Sequence, residues 1–121
     1  MPLEKRTTFT PCSSGSDKNP LHVVIAPDPP VPNQNMTFFV SQLTSVNVLN
    51  GIVHIELYND AYDQSKSCSF SAVKAGEIFS IECNLDSLPD TVQGISAFID
   101  VSANVEELQQ YQFMGCAKTD F

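Results

Sequence analysis

The sequence predicts an all-β fold, a sandwich of two antiparallel sheets held by two disulfides. Three observations predict it. Short runs of alternating apolar and polar residues recur along the 121 residues, turn-forming residues separate these runs, and helical periodicity is nearly absent. A chain of this length forms one domain with a sizeable core. Roughly seven short strands are typical of a two-sheet antiparallel sandwich.

The strand pattern begins at residues 21–26, a run rich in β-branched residues. Four prolines follow within residues 27–32, and a central strand cannot contain them, so this segment is a rigid extended connector. The pair Asn50-Gly51 is typical of a hairpin turn. Residues 106–110 are long enough for one helical turn only. The remaining predicted strands are residues 36–43, 51–58, 78–85, 95–101 and 111–118.

Four cysteines, Cys12, Cys68, Cys83 and Cys116, indicate disulfides and an oxidising compartment, since no short zinc-type spacing is present. Four cysteines allow three pairings. Cys12 and Cys116 lie near opposite ends of the chain, so that pairing them would join the termini. A hairpin folded at residues 74–77 would bring Cys68 opposite Cys83. Both observations favour Cys12–Cys116 with Cys68–Cys83, and free thiols are the alternative.

The charge balance excludes several functions. Six basic and fourteen acidic residues give a net charge of −8, which argues against nucleic acid and against anionic lipid held by charge. Neither His22 nor His54 belongs to a catalytic signature, and the acids around Asp60 and Asp63 form neither a calcium loop nor a defined pair. No glycine-rich phosphate loop occurs. We therefore expect no enzyme, no metal and no cofactor.

Residues 1–9 read as a flexible N-terminal segment ahead of a domain at residues 10–121. Lys5-Arg6 is typical of a dibasic processing site, after which the mature chain would begin near Thr7, or it is simply a solvated basic pair. Either a propeptide or an expression remnant would explain the segment. Asn35-Met36-Thr37 is a glycosylation sequon, and Asn35 is the expected site.

The inward-facing apolar residues either fill an ordinary core or line a ligand cavity between the sheets, and the pattern alone does not separate these cases. The candidate lining residues are Phe38, Val40, Val53, Ile55, Leu57, Phe79, Ile81, Ile95, Ile99 and Phe113.

Several segments together resemble the ML (lipid-recognition) domain family, most of all the fungal phosphatidylglycerol/phosphatidylinositol transfer proteins, with the lysosomal Niemann–Pick type C sterol carrier as a more distant relative. The resemblance covers nearly the whole chain from Thr10. It is carried by residues 10–17, the A-P-D-P-P-V-P segment at 26–32, Asn35-Met36-Thr37, residues 68–77, Leu88-Pro89 and the closing residues 115–121.

The resemblance implies an immunoglobulin-like sandwich, secreted or lumenal (vacuolar or lysosomal), that holds a phospholipid, fatty acid or sterol between its sheets. It also supports the Cys12–Cys116 pair. Cys83 departs from the family pattern, in which the middle cysteine pairs a few residues upstream. We expect a monomer with transient membrane contact. The alternatives are a secreted effector or recognition module with a closed core and a protein partner, and a hydrolase that uses Asp60 or Asp63.

Overall fold

The computed structural model describes residues 6–12 and 19–121. These residues form eight β-strands and no helix. The strands are β1 (Thr10–Pro11), β2 (His22–Ala26), β3 (Met36–Leu43), β4 (Val48–Asn59), β5 (Tyr62–Val73), β6 (Ile78–Leu85), β7 (Ser96–Val105) and β8 (Gln110–Asp120).

The strands assemble into two antiparallel sheets, which confirms the predicted fold class. The five-stranded sheet has the order β1-β8-β7-β4-β5, and the three-stranded sheet has the order β2-β3-β6. The predicted alternation of inward and outward side chains is seen in the strands. In β7, every second residue from Ala97 to Val105 is buried and the residues between them are half-buried. The predicted bounds of two strands, β3 and β6, agree with the structure to the residue.

All strands run between two ends of the sandwich. We call one the proline end, formed by residues 27–35, 86–95 and 121. There the proline connector is tied to the β6–β7 connector, because Asn33 N donates to Leu88 O and Leu88 N donates to Gln34 O. We call the other the turn end, formed by residues 44–47, 74–77 and 106–109. Each end is thus built from connectors of both sheets.

Both predicted disulfides are present, but the reason given for one of them is wrong. Cys68 and Cys83 are joined with a Cα–Cα distance of 5.9 Å, and residues 74–77 do form a turn. However, β5 and β6 do not pair as a hairpin, since they are edge strands of different sheets. The bridge therefore ties one sheet to the other along this edge. Cys12 and Cys116 are joined with a Cα–Cα distance of 5.5 Å, and this bridge links the N-terminal segment to β8.

The predicted hairpin turn at Asn50-Gly51 is also wrong. Both residues lie inside β4, next to a register shift between Val48 and Asn50. Gly51 faces inward opposite Phe70, and the ring of Phe70 occupies the space that a side chain at Gly51 would need. The glycine is required by close packing within a strand, and not by a turn.

Candidate functional site

The space between the sheets is the predicted site, and the structure brings most of its predicted residues together. Eight of the ten are buried with at most 4% of their surface exposed. Ile81 is half-buried and packs against the same cluster. The eight buried residues are Phe38, Val40, Val53, Ile55, Leu57, Phe79, Ile95 and Ile99. They pack directly on one another in one continuous apolar core.

Phe113 does not belong to this interior, and its prediction as a lining residue is wrong. It is 47% exposed. In the β7–β8 ladder, Val101 pairs with Gly115 and Ser102 pairs with Phe113, so Met114 is an extra residue on β8. Such a bulge reverses the inward and outward alternation on one side of it. Simple alternation along the sequence cannot reveal an inserted residue.

Some core residues were missed because their segments carried no recognised strand pattern. Phe70 lies on β5, which the serine-rich sequence concealed, and its ring stacks on Phe79 with centroids 4.3 Å apart. Phe9 lies outside the predicted domain yet packs edge-on against Phe38, with centroids 6.4 Å apart. Phe121 packs against the same core from the other terminus. The only sequence signal for Phe9 and Phe121 as core residues was a large aromatic side chain close to each chain terminus.

A cleft of about 700 Å³ opens at the proline end. Val92 and Phe121 belong both to its lining and to the apolar core, whereas prolines form one wall. Threonine and glutamine side chains and three charged residues complete the rim. The lining residues are Arg6, Thr7, Thr8, Pro29, Pro30, Pro32, Asp90, Thr91, Val92, Gln93, Thr119, Asp120 and Phe121. The cleft combines an apolar floor with a polar, charged mouth.

The N-terminal segment supplies part of this cleft. Thr7 donates from its backbone N to both carboxylate oxygens of Asp28, and from Oγ1 to Oδ1. Two residues later, Phe9 contacts the core. These contacts extend the packed part of the chain to residue 7. Lys5 lies outside the described residues, and Arg6 is exposed at the rim.

A smaller cleft of about 320 Å³ lies at the turn end, and Phe113 is part of its lining. Gln42, which is only 2% exposed, also lines it. The Gln42 Nε2 group donates to Asn19 O at 3.0 Å and to Met114 O at 2.8 Å, so the amide links the two sheets. Gln42 Oε1 is buried and accepts no hydrogen bond from the described residues.

Two ionisable residues, His54 and Asp100, lie side by side on the outer face of the five-stranded sheet. His54 lies between Ser67 and Asp100 in the strand register, with His54 Nδ1 3.0 Å from Ser67 Oγ. Burial raises the pKa of the Asp100 carboxyl, and the charge of His54 lowers it in part. Burial also raises the pKa of the Tyr62 phenol. Asp60 is exposed in the β4–β5 connection, and Asp63 is exposed at the start of β5.

The sequon residue Asn35 is exposed just before β3, where its Oδ1 accepts a hydrogen bond from Ser87 N at 2.8 Å. Within residues 6–12 and 19–121, no three His, Cys, Asp or Glu side chains are grouped as metal ligands. The same residues contain no helix that is long and apolar enough to cross a membrane. The two disulfides indicate an oxidising environment, extracellular or lumenal.

Comparison with known proteins finds no matching family model and no curated protein of significant similarity.

Proposed function

We propose that the protein is a secreted lipid-binding protein that holds an acyl chain or sterol in the apolar space reached through the proline-end cleft. The cleft itself is the observation that carries this proposal. Its volume of about 700 Å³ falls within the range of small-molecule sites, about 300–1,000 Å³. Val92 and Phe121 make its floor continuous with the core between the sheets. An amphiphile can therefore place its apolar part inward and its polar head at the rim.

The energetics favour an apolar chain at this position. Each methylene group that leaves water contributes about 0.8 kcal/mol, so a chain of modest length gives useful affinity. The core residues now fill the space between the sheets, and a chain entering deeply has to displace some of them. The sheets are joined by the Cys68–Cys83 bridge along the β5–β6 edge. Movement is therefore expected on the opposite side, where Phe9 covers Phe38.

The rim suits a head group that carries both charges or many hydrogen-bonding groups. Arg6 provides a cation, and Asp90 and Asp120 provide anions around the mouth. A zwitterionic phospholipid matches this mixture better than a purely anionic one, because the chain has a net charge of −8. The same charge favours brief docking on membranes, which suits a shuttle between them. The chain acts as a monomer in this proposal.

Uptake of a fluorescent phosphatidylcholine by the purified protein tests the proposal. We expect saturable, stoichiometric binding that Val92→Phe weakens at least tenfold, because the larger side chain fills the floor of the cleft. Val46→Phe is the matched control, since Val46 is half-buried at the turn end. Equal affinity of both variants contradicts entry at the proline end. Absence of uptake with any phospholipid or sterol contradicts lipid binding altogether.

A second candidate is a closed-core recognition module that acts through a protein partner. The observation that favours it is the tight packing of the eight buried candidates. Large apolar side chains also lie on the outer face of the three-stranded sheet, with Val24 62% and Ile78 66% exposed. Native mass spectrometry separates the two candidates. A co-purifying lipid supports the carrier, whereas a ligand-free protein that takes up no added lipid supports the recognition module.

A further inference from the structure

The nitrogen of Thr7 is held in an unusual way for a chain amide. It lies 3.1 Å from Asp28 Oδ1 and 3.1 Å from Asp28 Oδ2, while Thr7 Oγ1 lies 2.9 Å from Oδ1. Both carboxylate oxygens therefore face one nitrogen. Asp28 is half-buried and lies between two prolines, which restrict the backbone that presents it.

A peptide nitrogen makes incomplete use of this arrangement. A peptide N–H has one hydrogen to share between two carboxylate oxygens, whereas an ammonium group has three hydrogens and a full charge. A carboxylate already strengthens the hydrogen bond that it accepts from a neutral N–H, and an ammonium group adds the attraction between two opposite full charges. The geometry at Thr7 thus fits a free N-terminus better than it fits an internal amide.

The residues immediately before Thr7 are Lys5 and Arg6, a basic pair of the kind that secretory endoproteases recognise. Arg6 is exposed at the rim of the proline-end cleft. The basic pair is a feature of the sequence, and the carboxylate that faces the Thr7 nitrogen is a feature of the fold. They indicate the same bond, between Arg6 and Thr7.

We propose that the Arg6–Thr7 bond is a maturation site and that Asp28 receives the new N-terminus. An endoprotease specific for paired basic residues adds water across this peptide bond. Arg6 leaves with the new carboxylate at the end of the released segment. Thr7 keeps the nitrogen, which takes up protons to become an ammonium group and forms a salt bridge with Asp28.

Cleavage also changes the charge of the cleft mouth. The charged groups around the Thr7 nitrogen are Asp28 on the proline connector, Asp90 on the β6–β7 connector, Asp120 at the end of β8, and Arg6 itself. Removal of Arg6 takes away the cation and its bulk from the rim. The ammonium group of Thr7 replaces that charge at a fixed position. Processing at the Arg6–Thr7 bond does not depend on lipid binding in the cleft.

Treatment of the purified chain with an endoprotease specific for paired basic residues is the test. Mass spectrometry of the product is expected to show Thr7 as the N-terminus, and the melting temperature is expected to rise by about 3–6 °C. A chain with Lys5→Ala and Arg6→Ala stays uncut and shows no rise. A cut elsewhere, resistance to the protease, or an unchanged or lower melting temperature overturns the proposal.

Two carboxyl variants locate the effect. In Asp28→Asn, cleavage is expected to give no rise in melting temperature. In Asp90→Asn, which changes a neighbouring acid of the same cleft, most of the rise should remain. An equal rise in Asp28→Asn and the unsubstituted chain contradicts a salt bridge at Asp28.

The pH dependence gives a readout that does not need any variant. An α-amino group titrates near pH 7.7–8.0 when free, and pairing with Asp28 raises its pKa in the folded state. The added stability is therefore complete below about pH 7.7 and is lost as the pH rises through the raised value. The uncut chain has no amino group at Thr7 and should lack this loss. Identical stability profiles for both forms at pH 7–10 contradict the inference.

Discussion

Replacement of Gly51 by alanine probes the packing at the edge where the two sheets are tied together. An added Cβ at Gly51 would lie 2.1 Å from Phe70 Cζ and 2.4 Å from Phe70 Cε1, well inside van der Waals contact. Phe70 cannot turn away freely, because its ring stacks on Phe79 at 4.3 Å with an interplanar angle of 5°. Overpacking of this kind costs about 1–3 kcal/mol. For a domain of this size, 1 kcal/mol corresponds to about 3–6 °C in melting temperature.

Urea unfolding of a double-mutant cycle measures this effect. Gly51→Ala is made alone, Phe70→Leu is made alone, and the two are combined. The smaller leucine removes the ring that the new Cβ would meet, so the alanine should cost much less in the Phe70→Leu background. A coupling free energy of at least 1 kcal/mol is expected. A neutral Gly51→Ala, or an equal cost in both backgrounds, refutes the packing argument.

The remaining predictions concern the disulfides, a buried hydroxyl and a half-buried carboxyl. Replacement of both Cys68 and Cys83 by alanine should lower the free energy of unfolding, measured with urea, by up to about 3 kcal/mol. Replacement of both Cys12 and Cys116 should lower it by up to about 4.7 kcal/mol, because that bridge closes a longer loop. Thr44→Val should lower the free energy of unfolding by about 0.5–1.5 kcal/mol, since Thr44 Oγ1 lies 2.9 Å from Lys74 O and 3.0 Å from Glu77 O. The rate of amide hydrogen exchange at residues 74–77 should rise in the same variant. Asp100→Asn should stabilise the fold at pH 7, because burial raises the pKa of the Asp100 carboxyl and disfavours its charged form. This gain over the unsubstituted chain should vanish below the ordinary pKa of 3.8, because there the carboxyl is protonated in both the folded and the unfolded state. If Asp100→Asn stabilises the fold as much in acid as at pH 7, this prediction is contradicted.

Much of the sandwich could be predicted from the sequence because half-buried antiparallel strands alternate regularly. The strands β3 and β6 carry that signal without interruption, and their bounds were predicted correctly. Strand β5 was not recognised, since serines occupy its outward positions and its inward residues are only half-buried. The cysteine pairs were correct, yet the hairpin reasoning for Cys68–Cys83 failed because a turn of the chain can also carry it from one sheet to the other.

The candidate site was predicted less completely than the fold. Alternation found the inward face but not the bulge at Met114, which turns Phe113 to the surface. The proline-end cleft is formed by residues from four separate segments, from Arg6 to Phe121, and no local pattern brings these together. Gln42 occupies an inward position that alternation assigns to an apolar residue. The role of this polar side chain is visible only in the folded structure, where the Gln42 amide donates to the carbonyl oxygens of Asn19 and Met114.

The Cys12–Cys116 bridge also makes most of the molecule a covalent ring, since the two cysteines are 104 positions apart. One proteolytic nick anywhere between them opens the ring without separating the pieces. A second nick releases a fragment only when the Cys68–Cys83 bridge does not hold that fragment to the rest. In an oxidising extracellular or lumenal fluid, a cut in one exposed loop between these cysteines would thus leave a single covalently linked molecule.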